Sequence, residues 1–375
     1  MSQSPADRRY MTLALRLAER GRGSTSPNPM VGAVVVNRGR IVGQGAHRKV
    51  GGPHAEVIAL SQAGSRAKGG TLYVTLEPCS HLKKRTPPCV PLVVKSGVRR
   101  IVIAMVDPNP KVKGRGIAQL KRAGLSVEVG CGQAEAGQLN ETYIHWVRTG
   151  RPFTTLKAGM TLDGKIATAA GESRWITGDE ARGHAHRLRA EVDAILVGIG
   201  TVLHDDPSLT ARPPVSDAPR ALRQPLRIVV DSRLRIPLGA KVLQRQAESH
   251  TLVATTSASS TRKRDRLRRQ GIDVLILPTR KRRVDLAALW TRLGQLGITN
   301  QLIEGGGDIN AAVLRAGLAQ RIHFYVAPLL LGGRDATGVL GGTSPAHLAQ
   351  ALSVQNLRTA PLGRDILITA DLSTH

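Results

Sequence analysis

Through residue 129 the chain alternates short β-rich runs with stretches whose apolar positions recur at helical spacing. That alternation predicts an α/β layer fold with a largely buried sheet. Met11 to Ala18 reads as an amphipathic helix, and Val31 to Val36 with Ile41 to Ala46, parted by Asn37-Arg38-Gly39-Arg40, as a hairpin. Ala55 to Ala63 follows as a helix, Thr71 to Leu76 as a strand, Pro88 to Gly97 as a helix, Ile101 to Met105 as a strand, Gly114 to Ala123 as a helix and Ser126 to Val129 as a strand. Thr149-Gly150-Arg151-Pro152 breaks the pattern, and a second β-rich series opens at Phe153 to Ala158. Its further strands are expected at Ala194 to Gly198, Leu226 to Val230, Thr251 to Ala254, Asp273 to Leu277 and Gln301 to Ile303, with Arg-rich helices between some of them. Arg212 to Gln224, rich in Pro, Ala and Arg, reads as an exposed loop, and no internal repeat links the two halves.

Length fits two domains: 375 residues exceed what one core usually organises, and the break near residue 150 supplies the boundary. No apolar run approaches the roughly 18 residues of a membrane span, and the polar Met1 to Tyr10 lacks a secretory signal, so the expectation is a cytoplasmic protein. Three cysteines cannot build a disulfide framework and point instead to metal ligation or burial. The net charge of +27 draws in nucleic acid, anionic membranes and phosphorylated small molecules alike. Its local concentrations, Arg262 to Arg269 and Arg280 to Arg283, read as solvated helix and loop faces. With only three Trp, four Tyr and two Phe, base-stacking platforms are scarce, which disfavours nucleic acid as a partner.

A metal that activates water needs three protein ligands and one open position, and His54, Cys79 and Cys89 form an N/S/S set suited to one zinc ion. Glu56, two residues beyond the histidine, is the natural proton shuttle: it takes the proton of the attacking water, passes it to a ring nitrogen and later protonates the departing ammonia. H-x-E followed by P-C-x-x-C is a known signature of zinc deaminases. Gly51-Gly52-Pro53 leads into a helix at His54, and the strand from Thr71 delivers Glu77-Pro78-Cys79 at its C-terminal end, where α/β sheets gather their sites. Cys89 lies ten positions after Cys79 rather than three. In the intervening loop Lys83, Lys84 and Arg85 are candidates to meet a substrate phosphate, His81 reads as a supporting or surface histidine, and Cys131, far along the chain, as a lone thiol.

Asn28-Pro29-Met30-Val31-Gly32, His54-Ala55-Glu56, Leu76-Glu77-Pro78-Cys79-Ser80-His81, Thr86-Pro87-Pro88-Cys89 and Asp107-Pro108-Asn109-Pro110 together resemble the bifunctional deaminase/reductase family of riboflavin biosynthesis. Against that family the inter-cysteine loop carries one extra residue, at Leu82-Lys83-Lys84. The match continues in order through Thr155 to Ala167, Glu172 to Thr177, Gly200 to Leu203, Asp205 to Arg212 and Val230-Asp231-Ser232. The resemblance implies two α/β domains: a cytidine-deaminase-like α/β/α layer fold over residues 1–150 and a dihydrofolate-reductase-like domain over residues 151–375. It further implies a zinc-dependent deamination of a phosphoribosylamino-pyrimidinone, then an NADPH-dependent reduction of the ribosyl group to ribityl, in a homo-oligomer.

Glu304-Gly305-Gly306-Gly307 follows an apolar strand and opens a helix at about Asp308, an arrangement in which backbone amides approach a phosphate closely. By resemblance, Gly159, Trp175, Thr201, Asp205, Ser232, Gly305, Gly306 and Gly307 line the cofactor, and Gly159 stands where alanine is expected. Asn28 in the first domain, and Ser173, Arg189, Leu209, Arg212 and Glu304 in the second, hold the substrate, with Lys157 a further candidate near the ribityl chain. Arg189 and Arg212 suit a phosphate clamp because guanidinium offers paired donors. Two other readings stay open: a nucleoside or RNA-base deaminase on a reductase-like scaffold, which the long inter-cysteine loop argues against, and a nucleic-acid-binding protein, which the charge alone supports.

Overall fold

The computed structural model describes residues 4–80, 87–214 and 223–373, and divides the chain into two compact units, Met1–Gly150 and Arg151–His375. Lys83, Lys84, Arg85 and His81, named above, lie outside the described residues, as does most of the loop expected over residues 212–224.

The first unit runs α1 (Pro5–Ala18), β1 (Gly32–Asn37), β2 (Arg40–Ala46), α2 (Ala55–Ala63), β3 (Thr71–Val74), α3 (Cys89–Lys95), β4 (Arg100–Ile103), α4 (Arg115–Arg122), β5 (Ser126–Val129), α5 (Gln133–Leu139) and α6 (Glu141–Thr149). Ser4 starts α1 earlier than the apolar pattern suggests, because its hydroxyl accepts the Asp7 N–H and Pro5 needs no amide partner at the first turn. The sheet has the order β2-β1-β3-β4-β5, with β1 antiparallel to both neighbours and β3, β4 and β5 parallel. Alternate residues feed two cores. Ala33, Val35, Leu72, Val74, Ile101 and Ile103 face Ala59, Val93 and Leu120 of α2, α3 and α4, while Val34, Val36, Tyr73 and Val102 face Met11, Ala14 and Leu17 of α1. The result is an α/β/α layer fold.

The second unit runs β6 (Phe153–Thr161), β7 (Lys165–Ala167), α7 (Asp179–Glu191), β8 (Ala194–Gly198), α8 (Ile199–Asp205), β9 (Leu226–Val230), β10 (Thr251–Thr256), α9 (Thr261–Arg269), β11 (Asp273–Leu277), β12 (Thr279–Arg280), β13 (Arg283–Val284), α10 (Leu286–Gln295), β14 (Asn300–Ile303), α11 (Gly307–Arg315), β15 (Arg321–Ala327), β16 (Thr337–Gly338), β17 (Val354–Leu362) and β18 (Asp365–Leu372). Its main sheet has the order β11-β10-β9-β8-β14-β6-β15-β18-β17, parallel from β11 to β15 and antiparallel beyond. Leu196, Ile228 and Ala254 pack against α10 and α11 on one face, and Ile195, Val197, Val229 and Val253 against Val202 and Leu267 on the other. The C-terminal ends of seven parallel strands therefore lie along one edge, with a change of direction at β8 and β14, where crossovers leave to opposite sides. Among the described residues no helix is long and apolar enough to cross a membrane.

Candidate active sites

In the first unit, α2 lies directly on β2. A Cβ at Gly43 would come within 2.0 Å of Ala59 O and one at Gly45 within 2.2 Å of Ala55 O, so only glycine admits this approach. The approach fixes the depth of His54, the extended residue before α2, and of Glu56 in its first turn. The opposite donors come from the end of β3. There the Glu77 carboxylate accepts N–H groups of Asp107 and Gly114 through Oε2, and of Gly116 and Ile117 through Oε1, tying Pro78-Cys79 to the start of α4, where negative charge is favoured. Cys79 O in turn accepts the amides of Cys89 and Val90, so the two ends of the inter-cysteine loop meet at one carbonyl.

His54 Nδ1 consequently stands 3.6 Å from Cys79 Sγ and 3.3 Å from Cys89 Sγ, and the three donor atoms all fall within 4.8 Å of one another. A tetrahedral zinc with bonds of about 2.0–2.3 Å spaces N and S donors roughly 3.5 Å apart, so this set fits the ion. Glu56 is 3% exposed. Burial pushes its carboxyl up and Cys79 pushes the same way, while His54 draws it down. His47, just beyond β2, was not singled out by any motif. Burial pushes its imidazole pKa down; its Nδ1 meets Pro53 O at 3.1 Å, its Nε2 meets Asn28 Nδ2 at 3.1 Å, and its ring lies 5.4 Å from that of His54. Asn28 is thereby linked through the His47 ring to His54 of the donor set.

In the second unit Glu304, the residue after β14, lies between two cations. Arg189 of α7 grips it with Nε at 2.6 Å and Nη2 at 2.8 Å, and Lys157 Nζ of β6 stands 3.6 Å from Oε2. Burial pushes the Glu304 carboxyl up, but Arg189 and Lys157 together pull it down to about 2. Burial pushes the Lys157 ammonium down, which Glu304 opposes. Arg189 Nη1 also donates to Thr210 O, so three of its five N–H groups orient Glu304 and the loop. His186 accepts the Arg212 amide at 3.2 Å and is held to about 4 by burial and by Arg189 and Arg212. Tyr325 of β15 completes the group: its hydroxyl is 2.7 Å from His184 Nδ1 and its ring 5.5 Å from Lys157 Nζ.

Beside this cluster the Gly306 amide donates to Thr201 Oγ1 at 3.1 Å, and Ser173 Oγ donates to Asp205 Oδ1 at 2.8 Å. A Cβ at Gly305 would meet Ile309 Cγ2 at 1.9 Å and one at Gly307 would meet Gly338 O at 2.5 Å, so the loop presents bare backbone over the start of α11. Such a cradle suits a pyrophosphate. Gly159, on β6, faces Thr177, whose Cγ2 would be 3.2 Å from an added Cβ. Leu209 is in the left-handed region at φ 52° with its side chain sunk in the core, leaving its backbone for any ligand contact. Trp175 is 66% exposed and stacked under Arg182, with the guanidinium carbon 4.6 Å from the ring centre, and Arg212 is exposed. Ser232, beyond β9, is held away from the Glu304 group by Val284 N and Thr256 Oγ1.

The model of the cytidine and deoxycytidylate deaminase zinc-binding region matches residues 4–105, and that of the RibD C-terminal domain matches residues 152–368. The chain belongs to the RibD family. The riboflavin biosynthesis protein RibD of Bacillus amyloliquefaciens is 45% identical over 361 residues, covering 96% of this chain and 95% of that protein. The structure of Acinetobacter baumannii RibD, form 1, superposes with a TM-score of 0.90 at 39% identity, covering 98% of this chain and 99% of that one. A deaminase/reductase structure from Thermotoga maritima gives 0.82 at 31% identity, with 98% and 99% covered. As a RibD family member the chain is a bifunctional deaminase and reductase of riboflavin biosynthesis that takes a pyrimidine-type small molecule, with zinc and NADPH as cofactors.

Proposed function

We propose that residues 1–150 remove an amino group from 2,5-diamino-6-(5-phosphoribosylamino)pyrimidin-4-one and that residues 151–375 reduce the ribosyl group of the deaminated product to ribityl. The observation that carries the reading is the His54, Cys79 and Cys89 triangle, with donor spacings of 3.3 and 3.6 Å, beside the buried Glu56. Zinc held by His54 Nδ1, Cys79 Sγ and Cys89 Sγ supplies a Lewis acid that brings a water's pKa toward neutrality. Glu56 then moves the protons: its carboxylate takes one from the attacking water, gives it to the ring nitrogen and passes another to the leaving ammonia. The Asn28 amide, steadied by His47, orients the pyrimidine.

In the second site NADPH supplies the hydride. Gly305, Gly306 and Gly307 receive its pyrophosphate, Thr201 steadies that loop, and Gly159, Trp175, Asp205 and Ser232 line the rest of the dinucleotide. Lys157 and Glu304 meet the ribosyl end of the substrate, with Arg189 fixing Glu304; Ser173 and the Leu209 backbone hold the base side, and the exposed Arg212 meets the phosphate. This makes the protein a cytoplasmic one that serves small molecules rather than nucleic acid. Exposed along almost its whole length, the edge strand β17 offers a second copy a surface, and light scattering reads the homo-oligomer expected from it.

A paired assay tests the reading. In Glu56→Gln, ammonia release should fall by roughly 10²-fold or more, while NADPH oxidation on pre-deaminated substrate stays at the wild-type rate. A zinc-loaded wild type that releases no ammonia from this substrate sinks it.

A further inference from the structure

The hairpin β12–β13 breaks two local rules at once. Its turn residues, Lys281 and Arg282, both lie in the left-handed region, at φ 49° and 62°, where a two-residue turn ordinarily takes Asn-Gly. Its strands set Arg280 directly opposite Arg283, and like charges so paired are destabilising. Among the described residues none of the four forms an ion pair, and all four are exposed. The next acidic residue, Asp285, is engaged in capping α10 through the Ala287 and Ala288 amides. What the four exposed residues share is positive charge. Departures of this kind from local consistency mark function.

The position of the hairpin says which anion it meets. Val284, at its foot, is buried against Ile228 and Ala254 and donates its amide to Ser232 Oγ at 3.0 Å, so the hairpin leans from β11 back over the end of β9. Along the C-terminal edge the order is β9, β8, β14, β6, β15. The Lys157, Glu304 and Tyr325 group occupies β14, β6 and β15, and the glycine loop sits at β14. A dinucleotide whose hydride end meets that group and whose pyrophosphate crosses the glycines must run its adenosine half the other way, over β8 and β9. Neighbouring strands are about 4.8 Å apart, so Ser232 lies two spacings, about 10 Å, beyond the glycine loop. That is one ribose further on, where the phosphate on the adenosine 2′-oxygen falls.

We infer that the Arg280, Lys281, Arg282 and Arg283 hairpin, anchored on Ser232, binds the 2′-phosphate of the reductant and sets the preference for NADPH over NADH. The inference rests on the reductase reading above. It gives part of the positive charge a specific use, in place of the solvated loop face expected from the sequence.

The test is a calorimetric titration of the full-length protein with adenosine 2′,5′-bisphosphate and with 5′-AMP, which differ only in the 2′-phosphate. The double variant Lys281→Asn/Arg282→Gly removes two charges and installs the residues the turn prefers. Its thermal midpoint should hold or rise, its affinity for the bisphosphate should fall roughly tenfold, and its affinity for 5′-AMP should stay put. Arg280→Thr/Arg283→Thr should act in the same sense, and KM for NADPH should rise in both variants without a change for NADH. Bisphosphate affinity unchanged in both variants overturns the hairpin assignment alone, and so does an equal loss for both nucleotides. A wild type that binds neither nucleotide and oxidises no NADPH overturns the reductase reading with it.

Discussion

Glu304 is held between Arg189 and Lys157, and removing its charge leaves two part-buried cations facing a neutral amide. Breaking one partner out of such a group costs about 3 kcal/mol, because the remaining charges stay desolvated without compensation. Glu304→Gln should therefore lower the urea midpoint of the reductase transition and abolish NADPH oxidation, while ammonia release proceeds as before. Adding Lys157→Met should restore part of the stability and none of the reductase activity. At this scale the sequence disclosed the residues whose neighbours in the chain are also their neighbours in chemistry: His54 with Glu56, Pro78 with Cys79, and Glu304 with its glycines. His47, His184, His186 and Tyr325 carried no such signal, since each reaches its site through contacts 6, 141, 26 or more residues away along the chain.

Elements decide how precisely those residues are held, and the closest approach in the first unit is that of α2 to β2. Gly43→Ala would place a methyl 2.0 Å from Ala59 O, so the helix must move and take His54 and Glu56 with it. The expected outcome is a loss of about 1–3 kcal/mol together with loss of bound zinc, read by metal analysis of the purified protein. Gly137→Ala in α5, where an added methyl meets nothing within 4 Å, is the matching control and should retain zinc. Elements were also where the apolar pattern was most legible. The bounds of α2, β5, β8, β9 and β11 agree with those read from sequence: β8 and β9 are buried parallel strands that read as near-continuous apolar runs, whereas the half-exposed edge strands β5 and β11 are closed at once by Gly130 and Pro278. β17 was missed because it is exposed at almost every position and so shows no alternation, and β15 and β18 were not picked out either. α5 and α6 are short and mixed in polarity, and nothing in the spacing of residues 133–149 separates them from a polar connection.

For the whole molecule, acid should act on the second unit before its buried Glu304 carboxylate, held to about 2, is reached. His186 and His323 are both held to about 4, chiefly by burial, with Arg189 beside the first and Arg321 beside the second. Each is depressed below the usual 6.5, so each contributes stability that is complete above that value and is lost as the pH falls from 6.5 through 4. The unfolded chain binds these protons first, and the loss should be on the order of 3 kcal/mol for each histidine. Thermal melts at closely spaced pH values should show the reductase transition falling across that window, and His323→Gln, which has no charge to gain, should flatten the slope. The division at Gly150 has a consequence of another kind. Among the described residues each unit completes its own sheet, and no strand of one is lent to the other. Two catalysts that could each be encoded alone are thus translated as one message, which fixes their copy numbers at parity. A cell that makes this chain cannot raise the supply of the slower activity without making as much of the faster, so any imbalance between the two steps has to be met by changes in turnover within the chain and not by gene dosage.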